Sequence, residues 1–198
     1  MKKLALVLFA GISFATAHAQ VQFGVKGGFN FATQTGSDAG DSRNLTNFNA
    51  GIFARLAVAP GFGVQPEVVY SGQGAGYHVG GVTDNFHADY LNIPILFKWS
   101  HRSGPYFETG PQIGFLLAAH EHVNGNSFDN KEAYKSADFA WVFGVGYKIP
   151  QSPVAIDFRY NIGISNVEDR DVTQQNGSIR NDVLQLGIMY TLFNSARR

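Results

Sequence analysis

VAIDFRYNIGIS, residues 154–165, decides how the rest of the chain is read. Val154, Ile156, Phe158, Tyr160, Ile162 and Ile164 take every second position, and Asp157, Arg159 and Asn161 stand between them. A period of two puts these sets on opposite faces of one extended strand. One face is wholly apolar and aromatic; the other carries both signs of charge.

Working outward, the alternation returns along the chain. Over residues 22–32, Phe23, Val25, Phe29 and Phe31 oppose Gly24, Lys26, Gly28 and Asn30. Over 48–58, Ile52, Ala54, Leu56 and Val58 oppose Gly51, Phe53 and Arg55. Over 62–73, Phe62, Val64, Val68 and Tyr70 oppose Gln65, Glu67, Ser71 and Gln73. Leu91, Ile93, Ile95, Phe97 and Trp99 oppose Asn92 and Lys98. Over 106–117, Phe107, Ile113, Phe115 and Leu117 oppose Glu108, Gly110, Gln112 and Gly114. Over 138–148, Phe139, Trp141, Phe143, Val145 and Tyr147 oppose Asp138, Gly144, Gly146 and Lys148. The last run sets Leu184, Leu186, Ile188, Tyr190 and Leu192 against Gln185, Gly187 and Thr191. Eight strands are therefore expected, each near the roughly nine to eleven residues a tilted membrane strand needs.

The connections alternate in length. Residues 59–61, 100–105 and 150–153 are tight and rich in Pro and Gly, whereas 33–47, 74–89, 119–136 and 166–181 are long and polar. In an up-and-down barrel this gathers the tight turns at one end and the long loops at the other. Outer-membrane barrels have that layout, with periplasmic turns and extracellular loops.

A soluble sandwich or lipocalin-type barrel would also show one apolar face per strand, turned inward. The residues favour the inverted arrangement. The polar face is dense in Gly, Ala, Ser and Asn, which suits a narrow eight-stranded interior. It carries Lys26, Arg55, Lys98 and Arg159 against Glu67, Glu108 and Asp157, charges that a closed interior can pair. No charge falls on the apolar faces, as lipid exposure demands. Phe23, Phe62, Trp99, Phe107, Tyr147 and Phe193 would form an aromatic belt at the turn end, with Tyr70, Tyr90, Phe139 and Trp141 towards the other. Pro66, Pro94 and Pro111 fall inside expected strands and predict local bulges or kinks, Pro66 and Pro111 on the lipid side and Pro94 in the lumen. The expected fold is all-β, an eight-stranded antiparallel up-and-down transmembrane β-barrel.

Composition agrees. Charged residues are 15% of the chain, below the roughly 25% of soluble domains, and no stretch after the first twenty residues is long and apolar enough for a transmembrane helix. The absence of cysteine excludes a disulfide scaffold, a thiolate metal site, a Cys nucleophile and a lipid-anchored Cys. Nothing basic is gathered to attract nucleic acid. MKKLALVLFAGISFATAHAQ opens the chain as a signal peptide: Lys2 and Lys3, a short apolar run, then Ala17 and Ala19 as small residues at the cleavage site. Residues 1–19 are expected to be removed, leaving 20–198 as one barrel domain.

FGVKGGFN (23–30), VQPEVVYSGQG (64–74), YLNIPILFKW (90–99), PYFETGPQIGFLL (105–117) and DFRYNIGISNV (157–167) resemble, in this order and spacing, the PorT-like "porin family" of outer-membrane β-barrels of diderm bacteria. The resemblance implies a fold and a location; the namesake's part in protein secretion does not follow from the fold. QLGIMYTLF (185–193) is similar to the C-terminal signal read by the barrel-assembly machinery, with Gln185, Gly187, Tyr190 and Leu192 in the pattern, although residues 194–198 follow where many barrels stop.

Three functions are weighed on these residues. The first is a non-enzymatic envelope protein, structural, adhesive or accessory to secretion, with its lumen charges forming a plug of the kind found in OmpA- and OmpX-type barrels. The second is a narrow small-solute channel lined by the same charges. The third is a lipid-modifying enzyme, for which His120 or His122 with Ser127 or Ser136 would have to supply a nucleophile and base. His120-Glu121-His122 is also the closest pairing of histidines with a carboxylate, with His78, His87 and Asp89 of similar standing; a solvated loop is the expectation for both sets, with no metal. No cofactor is expected. The expected partners are outer-membrane lipid, the assembly machinery during biogenesis, and an envelope or extracellular protein met through the long loops.

Overall fold

The computed structural model describes residues 20–37, 39, 42–79, 82–123, 126–129, 131–168 and 178–195. The expected signal peptide lies outside them. The strands are β1 (Val21–Thr35), β2 (Arg43–Ala59), β3 (Phe62–Val79), β4 (Val82–Ser100), β5 (Pro105–Val123), β6 (Asn126–Asp129), β7 (Ala137–Lys148), β8 (Val154–Gly163) and β9 (Arg180–Asn194). Neighbours in the chain pair antiparallel, β5 passes its partner from β4 to β7, and β9 closes on β1. Eight strands thus form the ring, and short β6 pairs with β5 beyond the end of β7. Closure leaves the lipid-crossing part without a free sheet edge, which a hydrocarbon surround requires.

The burial pattern is inside out. Glu108 is 0% exposed while Leu192 is 67% exposed. On β8, Ala155, Asp157, Arg159 and Asn161 are buried, and Ile156, Phe158, Tyr160 and Ile162 are exposed. Every ring strand shows the same rule, so a continuous apolar band encircles the molecule. Water would not tolerate a contiguous apolar surface of this extent; hydrocarbon does.

The turns follow local chemistry. Gly61 (φ 78°) closes the β2–β3 turn after Pro60, and Gly104 (φ 119°) closes β4–β5, where a side chain would be strained. The three prolines take the expected sides, Pro94 buried in the lumen and Pro66 and Pro111 outward, but without the expected bulges. Pro66 lies opposite Ile95, Pro94 opposite Gln112 and Pro111 opposite Trp141, and the same register resumes on both sides of each. Pairing lapses for a residue or two near them, but no bulge forms there. The bulges fall instead at Phe23/Gly24, Asn44/Asn49, Ala57/Ala59 and Asp89/Tyr90.

The strands are also longer than expected. β4 and β5 are 19 residues each and β3 is 18. Residues 74–89 are therefore mostly a tall hairpin, with Gly76 opposite Asn85 and His78 opposite Thr83. They read as loop because they lack a lipid-type apolar face. Above the membrane, water satisfies the outer side chains, and the inner face needs only Ala75, Phe86 and Ala88, all buried.

Candidate functional site

The lumen holds the one dense assembly of charge among the described residues. Arg159 on β8 is its hub. Its Nη1 and Nη2 donate to Glu67 Oε2 and Oε1 at 2.7 and 2.8 Å. Its Nε forms ion pairs at 2.6 Å with both Glu108 Oε1 and Asp157 Oδ2, without the alignment of hydrogen bonds. Lys26 Nζ lies 3.3 Å from Glu67 Oε2 and 3.8 Å from Asp157 Oδ2. Lys98 Nζ lies 3.0 Å from Glu108 Oε2 and 3.5 Å above the centre of the Tyr106 ring. Gln65 Nε2 donates to Glu67 Oε1 at 2.7 Å. Each of the six charged side chains is at most 5% exposed.

Three cations therefore meet three carboxylates, drawn from β1, β3, β4, β5 and β8. Isolated, any of them would carry a desolvation penalty of several kcal/mol; together they offset one another. The structure brings six of the seven expected lumen charges into this cluster and leaves Arg55 out. Arg55 is half-buried towards the turn end, where its Nη2 donates to Ser100 Oγ at 3.0 Å.

Glycines clear the space. A Cβ at Gly144 would sit 2.9 Å from Glu108 Cγ and 3.1 Å from Arg159 Cγ, one at Gly187 2.8 Å from Asp157 Oδ1, and one at Gly146 2.2 Å from Tyr106 Cζ. These positions read as small lumen residues in the sequence; that each makes room for a particular charged or aromatic neighbour appears only once strands are paired.

Two further layers fill the lumen towards the long-loop end. In the first, Asn30 donates to Ser71 Oγ at 3.0 Å and the Gly72 carbonyl at 2.7 Å, and its Oδ1 accepts from Asn49 at 2.7 Å and Gln185 at 3.0 Å. In the second, Phe86, Ala88, Tyr90, Leu116 and Ala119 pack together, with the Phe86 and Tyr134 rings stacked at 4.5 Å. Tyr90 thus belongs to the lumen and not to the outer belt: it is 1% exposed, and Asn181 donates to its hydroxyl at 3.2 Å. Beside it, burial pushes the Tyr134 hydroxyl well above its ordinary range, reinforced by Tyr77, Glu121 and Glu168. Towards the turn end, Phe53, Tyr106, Ala155 and Met189 pack under the ion cluster. The space left directly beneath the cluster is about 30 Å³, the volume of about one water, and a wider recess of about 450 Å³ lies at the mouth. The amide layer was available from parity alone, whereas the aromatic cap lies on segments that read as loops.

On the outer surface, register sets Phe62, Trp99 and Phe107 side by side across β3, β4 and β5, and Phe23 beside Phe193 at the closing seam. Phe193 reaches the outer face because the seam bulge skips Leu192. Tyr147 is exposed one strand further, opposite Pro105. Polar atoms on this surface are satisfied locally. Trp141 Nε1 donates to Thr109 Oγ1 at 2.8 Å, and Tyr70 OH to Asp89 Oδ1 at 2.8 Å. Of the C-terminal pattern, Gln185 and Gly187 face the lumen, while Tyr190 and Leu192 face out.

The histidine pairings sit on strands, not in a loop. His120 on β5 lies opposite His87 on β4 and Asp129 on β6. The side chains of His78, His122 and Ser127 lie outside the described residues, and Ser136 is an exposed bend before β7. Among the described residues, no group of three or more His, Asp or Glu side chains is placed to hold a metal.

A closed eight-stranded ring, apolar without and charge-paired within, defines a transmembrane β-barrel of the outer-membrane class. Residues 10–169 match the family described as "Outer membrane protein beta-barrel domain", and the chain belongs to it. Among solved structures it is similar to Neisserial surface protein A, from Neisseria, with a TM-score of 0.54 and 16% identity over 86% of this chain and 97% of that one. It is also similar to Ail, the attachment invasion locus protein of Yersinia pestis, with a TM-score of 0.51 and 13% identity over 88% and 99%. At these identities the likeness is one of fold. No curated protein matches the chain in sequence.

Proposed function

We propose that the protein is a sealed, non-enzymatic barrel of the outer membrane that works through its extracellular strands, in a structural, adhesive or secretion-accessory role. The observation that carries this reading is the filled lumen: an ion cluster, an amide layer and an aromatic cap in series, with space for about one water beneath the cluster. A conducting path would need a continuous wet route past Arg159. Strands β3, β4 and β5 run on past the apolar band and present a paired sheet beyond it. That one of the similar structures is named as an attachment protein is consistent with a surface role. A narrower place among PorT-like barrels, export by the 1–19 signal and recognition of the C-terminal pattern by the assembly machinery belong to the same proposal.

The test is single-channel recording of the mature chain refolded into a planar bilayer, with insertion verified by faster migration of unboiled protein on a gel. A silent, correctly inserted barrel is the expected result. Steady openings whose ion selectivity changes in Glu108→Gln would overturn the sealed reading in favour of a narrow channel.

A further inference from the structure

The ion cluster leaves one lumen cation of the turn end, Arg55, outside it. The six members of the ion cluster neutralise one another, and Arg55 has no carboxylate within ion-pair distance among the described residues. Glu108, the carboxylate that acts on it electrostatically, already serves Lys98 and Arg159. A guanidinium cannot shed its proton to escape burial, so a half-buried one needs an anion or water. Arg55 Nε is buried and has no hydrogen-bond partner. A buried donor of this kind calls for an acceptor.

Its surroundings have the matching shape and charge. Arg55 lines two spaces at the turn end. The inner one, about 30 Å³, is shared with Gln22, Lys98, Ser100 and Lys148. The outer one, about 450 Å³, opens past Gln20, Gln22 and the Pro60-Gly61 turn. The charged residues among the described ones lining either space are Arg55, Lys148 and the Glu108-paired Lys98, with no carboxylate. Cleavage after Ala19 would add the α-ammonium of Gln20 to the same rim. Hydroxyl and amide donors from Ser100, Gln22 and Gln20 stand around the charge, as oxyanion recognition requires.

We propose that this mouth is an oxyanion-binding recess built on Arg55, taking a carboxylate or phosphate group presented from the periplasmic side. It lies at the opposite end from the extracellular sheet and holds whether or not that sheet is adhesive. It gives the sealed barrel a second working face, directed at anionic material inside the envelope.

The experiment is a titration of the isotope-labelled mature chain, refolded in zwitterionic micelles, with sodium acetate and separately with inorganic phosphate at constant ionic strength. Saturating NMR shifts confined to the backbone amides of Gln22, Gly61 and Ser100 and the Arg55 Nε–H are expected, in the millimolar range. Arg55→Gln should weaken binding at least tenfold, Arg55→Lys should retain most of it, and Lys131→Gln at the far end should change nothing. Tighter binding of phosphate would assign a phosphate ester, and equal or tighter binding of acetate a carboxylate. Linear, non-saturating shifts in the wild-type chain, or unchanged affinity in a folded Arg55→Gln, would overturn the proposal.

Discussion

Glu67 accepts both terminal nitrogens of Arg159, at 2.7 and 2.8 Å, across the full width of the barrel. The ring runs from β3 through β2, β1 and β9 to β8, so these two residues sit on opposite walls. A bidentate, charge-assisted pair in this position ties together strands that share no backbone ladder.

Glu67→Gln should therefore be among the costliest lumen substitutions. It keeps the shape but leaves Arg159 and Lys26 with one carboxylate too few, at a cost of about 3–5 kcal/mol. The urea midpoint of protein refolded into vesicles reads this directly. Combining Glu67→Gln with Arg159→Met restores neutrality and should recover part of the loss. An unchanged midpoint in the single variant would show that the cluster contributes nothing to stability.

The two kinds of glycine should respond oppositely. Gly144→Val would push a Cβ to within 2.9 Å of Glu108 Cγ, and overpacking of this sort costs about 1–3 kcal/mol. At Gly27 on the outer face a Cβ meets only the Asn49 carbonyl at 3.6 Å, an ordinary contact. Gly27→Val should leave the unfolding midpoint close to that of the parent chain.

Charge on the outer face should cost according to depth. Ile188, opposite Gly27, lies midway along β9, and Ile188→Arg should lose about 2–4 kcal/mol. Leu192, near the turn end of the same strand, should lose about 0–1 kcal/mol as Arg because the side chain reaches the interface. Equal losses at both sites would contradict a lipid-facing band.

The C-terminal pattern predicts a kinetic effect. Tyr190→Ala with Phe193→Ala should slow insertion by purified assembly machinery severalfold while leaving unassisted refolding into detergent almost unchanged. Equal slowing in both assays would make these rings packing residues of the β1–β9 seam only, where Phe193 lies beside Phe23.

The lumen and lipid faces were legible because parity is a local property. Residues 154–165 show both faces in a dozen residues, and the same rule places Lys26, Glu67, Lys98, Glu108 and Asp157 inside. Parity failed where register slips. The bulge at Asp89/Tyr90 and the skip over Leu192 depend on how two strands meet, and neither strand encodes that alone. Residues 74–89 misled for a different reason. Their polar, glycine-rich composition suits an aqueous strand as well as a loop, and only the partner strand decides between them.

By itself, the sequence determined that this chain forms strands with one lipid-compatible face and one charged face, joined alternately by tight and long connections. Those features rest on side-chain periodicity and turn chemistry, which act over a few residues. Tertiary structure alone decided which charges pair and that Arg55 stands outside the ion cluster. Pairing across the lumen depends on ring closure and strand stagger, which bring residues such as Glu67 and Arg159, 92 positions apart, into contact.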